Sequence, residues 1–151
     1  MKKYSRVSFD TIVLSNVLEH IEKDEKALKL CYEILRKKHG KLLLIVPAHK
    51  FLYGPLDAET GHFRRYEKAD IIRLARLCKF KILDLYAFNF AGIFGWFVNY
   101  CLLKRKNTNN SPKNLQFGFF DRFIARPSRF IESRVRPKIG LSLVAILEAG
   151  K

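Results

Sequence analysis

The chain has 151 residues, 48% of them hydrophobic and 13% aromatic, which suits one domain with a buried core and excludes wholesale disorder. Lysine and arginine number 29 against 14 acidic residues, a formal charge of +15; this favours an anionic partner, substrate or membrane surface, unless the basic helix faces are simply solvated. Cys31, Cys78 and Cys101 are odd in number and widely spaced, which excludes a disulfide framework and a structural zinc, and the first residues do not read as a secretory signal. The expectation is a cytoplasmic chain with free thiols.

Residues 9–14 are a short apolar, partly β-branched run and predict a strand buried on both faces. A helix follows. Glu22, Asp24 and Glu25 suit its N-terminus, Arg36, Lys37 and Lys38 its C-terminus, and Gly40 its cap, with Ala27, Leu28, Cys31, Ile34 and Leu35 on one apolar face. Residues 41–46 predict a second buried strand ended by Pro47, and two such strands around one helix make a parallel crossover. A long loop over 48–66 comes next, of a size that is usually functional or mobile. Residues 68–79 predict a helix with Ile71, Leu74, Ala75 and Cys78 inward, residues 80–87 a third strand, and residues 141–147, introduced by Gly140, a fourth. The order predicts an α/β sheet covered by helices on both faces.

Between the last two strands, residues 87–103 are rich in apolar and aromatic side chains but are interrupted by Asn89, Gly92, Gly95 and Asn99, which excludes a membrane span of about 20 apolar residues. Residues 104–138 hold ten basic residues against Asp121 and Glu132, interleaved with Phe117, Phe119, Phe120, Phe123 and Phe130. Such a stretch either lies on an anionic membrane surface or packs as core with a solvated face; no nucleic-acid module accompanies it.

The run ending in Ser15-Asn16-Val17-Leu18-Glu19-His20-Ile21 resembles the fourth strand and following turn of class I S-adenosylmethionine-dependent methyltransferases, most of all the small-molecule enzymes of the ubiquinone and menaquinone biosynthesis type. Gly40 to Pro47 is similar to their fifth strand and Gly140 to Val144 to their final antiparallel strand. The resemblance implies a partial Rossmann-like methyltransferase sheet of about four strands, ordered 4-5-7-6 in the family's count, with a helical insertion over about 88–138 in a single truncated domain, 1–151. In such enzymes the donor lies over a glycine-rich turn after the first strand. The glycines here are 40, 54, 61, 92, 95, 118, 140 and 150, so no Gly-x-Gly occurs. The expectation is therefore the C-terminal half of the fold, with one wall of the donor site.

By the same resemblance Ser15, Asn16, Val17 and His20 would touch S-adenosylmethionine, with Glu19 and His20 shaping the turn. Asn16 and His20 serve equally well to bond the start of the next helix. The segment Gly61-His62-Phe63-Arg64-Arg65-Tyr66 resembles the substrate side of a bacterial and archaeal branch of the family. His62 and Tyr66 are the catalytic candidates, His62 as general base. His49, Arg64 and Arg65 are the acceptor-binding candidates, the arginines offering planar forks to a carboxylate or phosphate. Against this, the arginines can pair with Asp57 and Glu59 while Tyr66 plugs the core. No metal-ligand spacing is visible, and Glu19-His20 alone is a poor metal signal. The reading is a methyltransferase acting on an acidic or lipid-linked small molecule once a missing N-terminal half is supplied, by a complementing chain or a homodimer. The alternative is a noncatalytic basic module that binds a membrane surface or a partner protein.

Overall fold

The computed structural model describes residues 9–90, 92–93, 137 and 139–150. The expected insertion over 88–138, and with it the basic aromatic stretch, lies almost wholly outside them.

Strand β1 is Thr11–Ser15, helix α1 is Asp24–Leu35 and strand β2 is Lys41–Pro47. Helices α2 (Pro55–Glu59) and α3 (Lys68–Leu77) follow, then strands β3 (Phe80–Phe88) and β4 (Ser142–Ala149). The sheet order is β1-β2-β4-β3. Strands β1 and β2 run parallel, with Thr11 opposite Lys41, while β4 runs antiparallel to both its neighbours. This is the order expected, with the last strand reversed.

Helix α1 begins with Asp24 and Glu25 in its first turn, where the helix dipole favours them. At its other end a 3-10 turn over Arg36–Lys38 leads to His39 in the left-handed region, and the Gly40 N–H bonds Leu35 O at 3.0 Å. His39 thus supplies the left-handed cap, and Gly40 answers a different need: a Cβ there would lie 2.6 Å from the Leu35 side chain and 2.9 Å from Asp10 O. Any larger residue would push α1 off the start of β1.

The core lies on one face of the sheet. Leu28, Tyr32 and Leu35 of α1, and Ile71, Leu74 and Ala75 of α3, pack on Leu42, Leu44 and Val46 of β2 and on Leu143, Ala145 and Leu147 of β4. Burying each such side chain contributes roughly 1.5–3 kcal/mol. Tyr32 and Phe80 meet edge to face, with ring centroids 5.3 Å apart. Helices α1 and α3 touch each other as well as the sheet, so they share this face. The expected helical insertion, which would be the cover for the other face, lies outside the described residues.

Strand β1 also departs from expectation. It is the outer strand among the described residues, and none of its five residues is buried. Ile12 and Leu14 pack against the core from its rim, while Val13 on the other face is 56% exposed. Among the described residues nothing covers the face of β1 that Val13 occupies, so the strand is buried on neither face despite its apolar sequence.

Candidate functional site

The C-terminal ends of β1 and β2 are where an open α/β sheet offers its crevice, and two loops meet there. Ser15 ends β1. Asn16 then turns the chain with φ +51, a conformation asparagine tolerates better than most residues, while its N–H holds Ile45 O at 2.9 Å. A 3-10 turn over Leu18–His20 follows, burying Leu18 and Glu19. Ser15, Asn16, Val17 and His20 remain exposed, on the side expected to face a donor.

The second loop, over 48–66, is closed at its base. Ala48 and Tyr66 form a parallel bridge; the His49 N–H donates to Tyr66 O at 3.0 Å, and the Tyr66 N–H to Pro47 O at 2.9 Å. The tip is tied to the first loop. The Phe63 N–H donates to Glu19 O at 2.8 Å, and His20 Nδ1 lies 3.3 Å from Gly61 O.

Asp57 organises the interior of this loop. Its carboxylate is fully buried and takes the Arg65 Nε–H at 3.0 Å from both oxygens. Oδ1 also meets His62 Nδ1 at 2.8 Å, and Oδ2 accepts the Gly54 N–H at 2.9 Å, which starts α2. Arg65 completes the arrangement by donating from Nη1 to Ala48 O at 3.2 Å. A buried ion pair persists when the remaining donors and acceptors are filled, and here they are filled by the loop's own backbone.

Glu19 lies close by and contrasts with it. It is 0% exposed, yet among the described residues neither carboxylate oxygen has a hydrogen-bond partner. Burial pushes its carboxyl above the usual carboxylate range. Next to it the His20 and His62 rings meet edge to face, with centroids 4.6 Å apart. One ligand atom from each of Glu19, His20 and His62 falls within 4.8 Å of the others.

Three of the expected site residues are placed elsewhere. Arg65 is only 2% exposed; with Asp57 and Ala48 O engaged, its guanidinium braces the loop and does not present a fork to an acceptor. Tyr66 is 1% exposed, its hydroxyl 3.1 Å from Asp24 Oδ2 and 3.3 Å from Leu18 O. Burial first, and the Asp24 charge second, hold the phenol protonated far above the ordinary tyrosine range, so it is a donor locked in the core and no proton acceptor. Arg64 reaches back to α1, donating from Nη2 to Glu22 O at 2.6 Å and pairing through Nη1 with Asp24 at 3.2 Å. The competing expectation of internal pairing thus holds for Asp57, with Asp24 as the second partner.

His49 is set apart from the two other histidines. It has φ +64, its Nδ1 lies 3.5 Å from Glu67 Oε2, and its buried Nε2 has no partner among the described residues. His62, 16% exposed with its Nδ1 on Asp57, is the catalytic candidate that keeps a reactive geometry. Sequence reasoning passed over Glu19 as a shaper of the turn and had no signal for its approach to His62, because the two lie on opposite sides of β2 in the chain.

No family model matches the sequence, and no curated protein is similar enough to count as a relative. Solved structures do match. A protein from Bacillus halodurans C-125, provisionally assigned as a methyltransferase, is similar over 95% of this chain and 70% of its own, with a TM-score of 0.54 and 16% identity. A SAM-dependent methyltransferase from Archaeoglobus fulgidus is similar over 93% of this chain, with a TM-score of 0.49 and 11% identity; the chain spans 59% of that protein. The likeness is one of fold: a mixed four-stranded sheet with flanking helices, arranged as in a Rossmann-like methyltransferase. Among the described residues no helix is long and apolar enough to cross a membrane.

Proposed function

We propose that this chain carries the acceptor side of an S-adenosylmethionine-dependent methyltransferase site. The observation that carries the reading is the reversed last strand, inserted between β2 and β3, with two anchored loops at the ends of the parallel pair where the fold places ligands. The donor would lie across Ser15, Asn16 and Val17, which stand exposed at the end of β1. His62, oriented by Asp57, would take the proton from an acceptor hydroxyl or amine. Methyl transfer from a sulfonium needs mainly an in-line approach, so the protein's task is to hold two ligands in register. The acceptor would be an acidic or lipid-linked small molecule. With Arg64 and Arg65 engaged by the protein itself, support for an acidic acceptor rests on the charge of +15. The outer edge of β1, unpaired among the described residues, is where further strands of the same fold, from this chain's copy or a complementing one, would complete the donor site.

The test is a titration of the isotopically labelled chain with S-adenosylhomocysteine, followed by amide shifts. The expected result is perturbation confined to residues 15–20, with a dissociation constant weaker than about 10 μM, since the chain carries no Gly-x-Gly turn for the donor. No perturbation at millimolar ligand, or shifts confined to another face, sinks the reading.

A further inference from the structure

We propose that Glu19, His20 and His62 form a binding site for a divalent transition-metal cation of the zinc type. Three independent features of the loop junction converge on it, and none depends on the methyl-transfer reading.

The first is an unanswered carboxylate. Buried polar groups in folded proteins are nearly always paired, and a buried carboxyl without donors is costly. Glu19 is 0% exposed with both oxygens unpartnered among the described residues, while Asp57 in the same junction is fully bonded. Among the described residues the fold therefore supplies donors to one carboxylate and none to the other.

The second is the state of the two imidazoles. His20 turns Nδ1 to Gly61 O at 3.3 Å, and a carbonyl accepts only a protonated nitrogen. His62 turns Nδ1 to Asp57 Oδ1 at 2.8 Å. Each neutral ring then bears its free lone pair on Nε2, the tautomer in which histidine ligates metals, with a carbonyl or carboxylate behind it to fix the ring and raise its basicity. Asp57 is in turn held by Arg65, so His62 stands on a rigid outer layer. The positive charge of Arg65 is balanced by Asp57 and does not repel a cation across the ring.

The third is spacing. A cation at the centre of three donors no more than 4.8 Å apart lies at most about 2.8 Å from each, so a shift of roughly 0.7 Å or less per side chain reaches the ~2.0–2.1 Å of zinc bound to nitrogen or carboxylate oxygen. The Phe63 N–H on Glu19 O already holds the two loops at this approach. Two imidazoles and one carboxylate suit zinc and its neighbours, and disfavour magnesium and calcium, which prefer oxygen throughout. His20 is exposed and gives the ion an entry, leaving a coordination position open. An occupied site takes the His62 lone pair that a proton-accepting role would use, so the two uses exclude each other.

The probes are Zn2+ by calorimetry and Co2+ by visible absorption, on the full chain freed of metal by chelation. The expected result is one Zn2+ per chain at micromolar or lower dissociation constant, and cobalt bands in the visible that mark low coordination number. Glu19→Gln and His20→Ala should each weaken binding at least tenfold. Both are chosen to preserve the fold, one keeping the side chain's shape and the other lying at an exposed position. A circular dichroism spectrum and melting curve of metal-free protein confirm that they do. No zinc binding below millimolar concentration overturns the proposal. So does zinc binding that both folded variants retain at full strength, which would place the metal on other residues.

Discussion

The two fully buried carboxylates at the mouth of the sheet, Asp57 inside the 48–66 loop and Glu19 on the turn it leans against, have opposite surroundings. Asp57 meets an arginine, a histidine and a backbone N–H; Glu19 meets no donor among the described residues. Both are inaccessible to water, so solvent cannot make up the difference. One carboxylate holds the loop in place, and the other is a cost the fold carries at that spot. Native structures keep such a cost most often where a ligand is to be received.

The contrast is sharpest in stability. Asp57→Ala would take from the Arg65 guanidinium, 2% exposed, the carboxylate that balances its charge in the core, and should cost about 3–5 kcal/mol. Glu19→Leu removes a buried carboxyl whose burial cost outweighs the charges near it and which has no hydrogen-bond partner among the described residues, and in chelator-containing buffer should leave stability unchanged or raise it. Urea unfolding of the two variants beside the parent decides this. Equal losses would show that Glu19 has partners and that the two carboxylates are alike.

A middle case is Tyr66. Tyr66→Phe deletes a buried hydroxyl that bridges Asp24 and Leu18 O, but Asp24 keeps its contacts to Arg64 and to the Glu25 N–H. The cost should be about 1–2 kcal/mol, with no change in the His62 ring signals in an NMR spectrum. A shift of those signals would tie Tyr66 to the site after all.

The smallest effect belongs to Arg64. Its side chain is 35% exposed, so its pair with Asp24 is partly screened by solvent, and Arg64→Ala should cost under about 1 kcal/mol by the same denaturation measurement. A loss matching that of Asp57→Ala would move it from the rim of the site into its frame.

Much of this architecture is legible in local pattern. The inward face of α3 at Ile71, Leu74, Ala75 and Cys78 is as the helical period demands, and β2, β3 and β4 fall within two residues of the expected runs. In α1, by contrast, the period points to Ala27, Cys31 and Ile34, which are only half-buried, while Tyr32 is buried through its contact with Phe80. The 3.6-residue period defines a stripe but not which of its margins a neighbour will cover. Strand β1 shows the same limit: apolar composition states what a strand prefers, and what packs over its two faces decides what it receives.

The site was less legible, for a related reason. Arg64 and Arg65 look alike in sequence, and each is claimed by a different acidic residue, Asp24 from 40 positions back and Asp57 from inside the loop. That choice depends on α2, a helix of five residues opened by Pro55 and fixed by the Asp57 carboxylate on the Gly54 N–H. No periodic pattern announces so short an element. Glu19 and His20 are adjacent in sequence, but what gives them meaning is His62, brought in by a single backbone hydrogen bond from Phe63.

At the far end of β3, a Cβ on Gly140 would sit 2.3 Å from Phe88 O and 2.5 Å from Phe88 N, and the Leu141 N–H closes on Asn89 O at 3.0 Å. The chain leaves the sheet at Asn89 and re-enters beside it at Gly140, so the two strands are buttoned together at the point of departure. A loop that begins and ends at one place adds little closure entropy as it lengthens. The entropy of closing the sheet at this point is accordingly almost independent of the length of chain between those two residues. By closure entropy alone a change in the length of that stretch costs the sheet little, provided the residue at the button stays a glycine.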